Sequence, residues 1–172
     1  GQSGIDFLKE YIPSHPIPVI LVSSLNLRVF DALGAGAVDF VRKPEPRDNK
    51  DAFITGLAQK IIIASMAKVR PAMNAPAAAG SSALAAATAA ALGVSPALDN
   101  VIIGLGASTG GTEATLEVMK RLPADIPAMV IVQHMPPGFT KMYADRLNRL
   151  CKMEVREAKS GDELHRGLAL VA

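Results

Sequence analysis

From Pro71 to Leu98 the chain carries no charged residue, and thirteen of the twenty-seven residues between Ala72 and Leu98 are alanine. This stretch constrains the fold more than any other feature. Alanine buries too little area to build a core, and Pro76, Gly80, Ser81, Ser82, Gly93 and Pro96 interrupt the run. It is long enough to span a bilayer, yet it lacks the large apolar side chains of a membrane helix. The composition predicts a linker over 68–98, with Ser82 placed to cap a short helix over 83–92. A chain of 172 residues divided in this way holds two small pieces, residues 1–67 and 99–172.

Neither piece is strongly charged. Residues 1–98 carry nine Lys/Arg and seven Asp/Glu, and residues 99–172 carry nine of each. That balance, with few aromatics, argues against nucleic acid as a partner. Cys151 is the single cysteine, so no internal disulfide forms, which fits a reducing compartment such as the cytoplasm. In its apolar setting it reads as a small buried hydrophobe. No secretory signal opens the chain, and neither end carries a natural stop, so the sequence reads as cut at both ends.

In the first piece, continuous apolar runs of strand length (18–22 and 37–41) alternate with helical patterns (27–33, and a longer helix capped by Asn49 that carries Phe53, Leu57 and Ile61). Such alternation predicts an α/β fold with a parallel sheet. Function in such sheets gathers at the carboxyl ends of the strands, where Ser23 and Lys43 stand.

The second piece repeats the pattern. A strand over 101–107 runs into Ser108, Thr109, Gly110 and Gly111, and a helix over about 112–122 has Glu113 in its first turn and Lys120 and Arg121 in its last. A strand over 128–132 ends in Gln133-His134. A helix with Thr140 at its cap carries Tyr143, Leu147 and Leu150, and apolar runs at 153–158 and 167–172 close the chain.

The segment Gly104–Gly111 admits three readings. Gly106-Ala107-Ser108-Thr109-Gly110 has the G-x-S-x-G spacing of a nucleophile turn, in which the N–H after the serine faces the developing oxyanion. The same glycines resemble a loose dinucleotide loop, but Gln133-His134 occupies the place where a ribose-binding acid belongs. They also suit close packing of a helix on a strand. His134 tips the balance. A serine needs a base, and a histidine at the next strand end supplies one.

The runs "VILVSS" and "GAVDFVRKP" resemble the second half of a response-regulator receiver domain. The runs "GLGASTGGTEA", "IVQHMPPGFT" and "ADRLNRLCKMEVREA" resemble the bacterial chemotaxis protein-glutamate methylesterase family. The resemblance implies the C-terminal half of a flavodoxin-like receiver over 1–67, a linker over 68–98, and the first part of a doubly wound parallel-sheet esterase domain over 99–172. It implies that Ser108 attacks glutamate methyl esters on chemotaxis receptors, with His134 as base and Thr109 lining the site, and that particular glutamines are deamidated. It gives Ser23 and Lys43 contacts to a phosphorylated aspartate and makes Phe40 the switch aromatic. A histidine kinase is the implied partner, with Mg2+ for phosphorylation of an intact receiver and no cofactor for the esterase. Two expected residues, the phospho-accepting aspartate and the aspartate that completes the triad, match no position here. No metal site is expected in this chain, and no membrane insertion. A non-catalytic signalling module is the alternative from another class.

Overall fold

The structure is a computed structural model that describes residues 3–24, 28–67, 69 and 101–172. The chain divides into two compact units, Gly1–Pro76 and Ala77–Ala172. The expected linker lies outside the described residues except for Val69, as does the helix expected over 83–92.

The first unit is built on two parallel strands, β1 (Ile20–Ser23) and β2 (Asp39–Arg42), with Ile20 opposite Asp39 and Ser23 opposite Arg42. Helix α1 (Gly4–Tyr11) starts at Ser3, whose hydroxyl accepts the Asp6 N–H. Helix α2 (Val29–Gly34) is shorter than the pattern suggested and buries Val29, Ala32 and Leu33. Helix α3 (Lys50–Ser65) is capped as expected, Asn49 Oδ1 accepting the N–H groups of Asp51 and Ala52. Its predicted apolar stripe is only partly covered. Phe53 and Leu57 are half-buried, but Ile61 is 53% exposed. Asp39 joins α3 to the sheet: one carboxylate oxygen accepts the Phe40 N–H and the other meets Lys60 Nζ at 2.5 Å. Pairing and hydrogen bonding together offset the cost of burying Asp39.

The second unit has a four-stranded parallel sheet of order β3-β4-β6-β5: β3 (Ile102–Ala107), β4 (Ala128–Gln133), β5 (Glu154–Glu157) and β6 (Leu168–Val171). Helix α4 (Gly111–Met119) links β3 to β4, and α5 (Phe139–Leu150) links β4 to β5. The chain then returns through residues 158–167, without a helix, to lay β6 between β4 and β5. All four residues of β6 are buried, as a central parallel strand requires. The two helices touch each other and cover the face of the sheet that carries Met129 and Ile131. The opposite face is open near β3, where Ile102 and Val132 are more than half exposed.

Several boundaries differ from the sequence reading. Helix α4 ends at Met119, so Lys120 and Arg121 follow it rather than form its last turn. The cap of α5 is Gly138 at φ 83°, not Thr140, whose hydroxyl instead donates to the Glu157 carboxylate. Leu150 is 47% exposed and Cys151 is half-buried, its thiol pushed up by burial. Among the described residues no helix is long and apolar enough to cross a membrane.

Candidate active site

In the second unit, residues 108–111 and 134–138 leave neighbouring strand ends on the same side of the sheet. The parallel register of β3 and β4 runs from Ile102 opposite Ala128 to Ala107 opposite Gln133. The ladder continues one bond further, from His134 N–H to Ala107 O at 3.1 Å. Ser108 and His134 therefore follow directly on paired residues of adjacent strands, about 4.8 Å apart in the sheet. Both side chains are exposed. Thr109 is half-buried beside Ser108.

The turn after Ser108 is tight. The Gly111 N–H donates to Ser108 O at 2.7 Å, and Gly110 takes φ 76° to start α4. That left-handed value favours glycine. Gly111 is also needed for space, since a Cβ there would stand 2.4 Å from Gln133 Oε1 and 2.6 Å from Ala107 Cβ. Gly104 and Gly106 have no such need, because a Cβ at either would meet nothing within 4 Å. The close-packing glycine is thus Gly111, not the two in the strand. Gly111→Ala is expected to destabilise the second unit by about 2 kcal/mol, in the range of core overpacking. A thermal melt should show a midpoint lower by roughly 10 °C for a unit of this size. A variant that melts with the wild type would mean that the turn relaxes freely.

Helix α5 holds the start of α4 from the side. Tyr143 is fully buried and its hydroxyl donates to Thr112 O at 3.2 Å. Burial pushes its phenol up to about 12. Arg146 Nη1 meets Glu113 Oε1 at 2.6 Å, with the Arg146 side chain 11% exposed. Glu113 in this position also favours the positive end of α4. Neither contact was legible in the sequence, because each joins residues more than thirty apart. Gln133 was read only as a residue standing where an acid was wanted. It is buried, and its Nε2 donates to Ser108 O.

Asp162, Asp145 and Glu157 of this unit are paired elsewhere. Asp162 pairs with Arg156 Nη1 at 2.5 Å and accepts the Lys159 N–H, and the Arg156 hydrogen bond holds its carboxyl below the usual range. Asp145 pairs with Lys141 along α5, and Glu157 takes the Thr140 hydroxyl. Asp125 precedes β4 and so lies at the end of that strand opposite His134.

In the first unit, Ser23 and Lys43 are likewise brought to adjoining strand ends, with Lys43 N–H donating to Ser23 O at 3.0 Å. Ser23 lines a cleft of about 190 Å³ with Ser3, Gly4, Ile5, Leu21 and Arg28, and the Lys43 side chain is exposed. Phe40 is buried, with its ring edge-on to Phe30 at 6.4 Å. Among the described residues no group of three His, Cys, Asp or Glu side chains is placed to hold a metal ion.

The sequence profile of the CheB methylesterase family matches residues 103–172, the span that contains Ser108, His134 and all four strands of the second sheet but for Ile102. Over 99% of its length the chain is 45% identical to protein-glutamate methylesterase/protein-glutamine glutaminase 2 of Syntrophomonas wolfei and 46% identical to the protein-glutamate methylesterase/protein-glutamine glutaminase of Paraburkholderia xenovorans. It covers 48% and 49% of those relatives, and so spans about half the length of the curated relatives it matches. The catalytic domain of the Thermotoga maritima CheB methylesterase, in its crystal structure, is 42% identical over 41% of this chain and 38% of that one, with a TM-score of 0.40. Over residues 103–172 the chain is thus similar to the CheB methylesterase family, and over its whole length to the relatives of that name.

Proposed function

We propose that this chain carries the nucleophile and base of a protein-glutamate methylesterase acting on chemotaxis receptors. The observation that carries the reading is the register that puts Ser108 and His134 directly after paired residues of β3 and β4. Ser108 Oγ attacks the ester carbonyl while His134 takes its proton. The Thr109 N–H faces the developing oxyanion. Collapse of the tetrahedral adduct expels methanol, which takes the proton from His134. Water, deprotonated by His134, then attacks the acyl-serine and releases the glutamate carboxylate. The same steps on a glutamine side chain release ammonia, in keeping with the glutaminase in the relatives' names. The chemistry asks for no cofactor. Asp162 and Asp145 are engaged by other partners, so neither is placed as the carboxylate that orients His134.

Residues 1–67 are the C-terminal half of a receiver domain, joined by a linker over 68–98, and the esterase sheet is doubly wound in the complete protein. Ser23, Lys43 and Phe40 relay phosphorylation, by a histidine kinase in the cytoplasm, to the esterase. The adjoining strand ends of Ser23 and Lys43 support that assignment.

The test is a serine-directed fluorophosphonate probe on the complete protein. Labelling that vanishes in Ser108→Ala is the expected result. Labelling that persists unchanged would move the nucleophile elsewhere, and no labelling of the wild type would favour a non-catalytic signalling module.

A further inference from the structure

Gln133 interrupts an apolar face. The residues of β4 that point the same way, Met129 and Ile131, are buried and apolar, and Gln133 is 6% exposed. Its Nε2 donates to two carbonyl oxygens, those of Ser108 at 2.9 Å and His134 at 3.3 Å. One amide thus reaches the main chain of both residues that leave the strand ends. Ser108 O also accepts the Gly111 N–H at 2.7 Å, so the turn after Ser108 is held from within and from below. The chemistry fixes the orientation of the amide. Turned over, its oxygen would face two carbonyl oxygens. Oε1 is left against Gly111 with no hydrogen-bond partner among the described residues. An apolar side chain of the same length would fill this place and leave no buried oxygen unpaired. A group kept under such a cost calls for an explanation beyond packing.

We infer that Gln133 is a positioning residue for the hydrolysis, a tether that sets the main chain at Ser108 against the main chain at His134. The inference rests on the proposed Ser108–His134 chemistry and goes one step beyond it. Side chains on two separate turns meet in a reactive geometry only if the turns themselves are held. Misplacement of a reacting group by about 1 Å costs on the order of 10²-fold in rate. A donor from the sheet floor to both carbonyls supplies that restraint without touching substrate.

The experiment uses the complete protein with methylated receptor as substrate. Gln133→Met keeps the length and loses both donors. Its kcat is expected to fall on the order of 10²-fold with KM nearly unchanged. Gln133→Glu is the second variant. Protonated, its carboxyl restores one donor; ionised, it turns negative charge on two carbonyls. Burial raises the pKa of such a carboxyl. The ratio of this variant's activity to that of the wild type at the same pH is therefore expected to approach one at low pH and to fall as pH rises. Circular dichroism across the same range reports whether the fold holds. If Gln133→Met does not fold, the Gln133→Glu profile decides alone. A Gln133→Met enzyme within three-fold of wild-type kcat, or a Gln133→Glu profile parallel to wild type, overturns the tether. Ser108→Ala, assayed alongside, separates the two ideas. Activity retained there removes the serine chemistry itself, whereas activity lost there but kept in Gln133→Met removes only the tether.

Discussion

Ser108→Ala and His134→Ala are each expected to reduce ester hydrolysis by the complete protein on the order of 10⁴–10⁶-fold, the range seen when a serine hydrolase loses its nucleophile or base. The size of the effect follows from what each group supplies. Without Oγ there is no atom to form the acyl intermediate. Without the imidazole the hydroxyl keeps its proton and remains a weak nucleophile at neutral pH. The double variant should be little worse than either single one, because the two act as a unit and the oxyanion donors and binding surface remain. Methanol release from methylated receptor measures all three. A single variant that keeps a tenth of the activity, or a double variant whose loss is the product of the singles, would mean that Ser108 and His134 do not share one step.

Residues 1–172 by themselves are expected to hydrolyse receptor methyl esters at least four orders of magnitude more slowly than the complete protein. The imidazole needs a carboxylate behind it, and replacing that group in a well-studied serine protease costs about 10⁴ in turnover. The second unit offers no substitute among its described aspartates. Asp162 is engaged by Arg156 and the Lys159 N–H near the end of β5, which lies two strands from β4, about 10 Å across the sheet. Asp145 is tied to Lys141 on α5. Asp125 lies before β4, and that strand alone holds His134 about 20 Å from it. Comparable rates from the two proteins would show that one of these carboxylates leaves its partner and turns to His134. Asp162→Ala in the 172-residue chain would then identify it, because Asp162 sits on a turn and is the easiest to re-aim.

The parts of this fold that local chemistry determines were legible in the sequence. The strands over 102–107 and 128–133 were legible as apolar runs of strand length bounded by turn residues, although β3 is an edge strand with one face open. The Asn49 cap read correctly because an asparagine before a helical pattern has few better uses. Ser108 and His134 were singled out because strand ends collect chemistry in α/β sheets, and the register of β3 and β4 puts them at adjoining ends. The misreadings share another cause. Thr140 is a good capping residue by type, but Glu157, on a strand seventeen residues later, takes its hydroxyl, and the left-handed Gly138 starts the helix instead. The glycines of 104–111 were read together as suiting close packing, and which of them is crowded, Gly111, is decided in part by Gln133 on another strand. Tyr143 with Thr112 and Arg146 with Glu113 are further cases in which a partner distant in sequence decides the role. Periodicity carries no information about such partners.

The order β3-β4-β6-β5 also has a consequence in time. A ribosome delivers β5 before β6, but β5 pairs only with β6, and β4 pairs with β6 on its inner side. Until Leu168–Val171 has emerged, β4 and β5 each expose an unsatisfied row of amides toward an empty slot, with the helices already made. The β4-β6-β5 part of the sheet therefore forms in one late event, by insertion of its most buried strand. During that wait the two unpaired strand edges invite a foreign strand into the same slot.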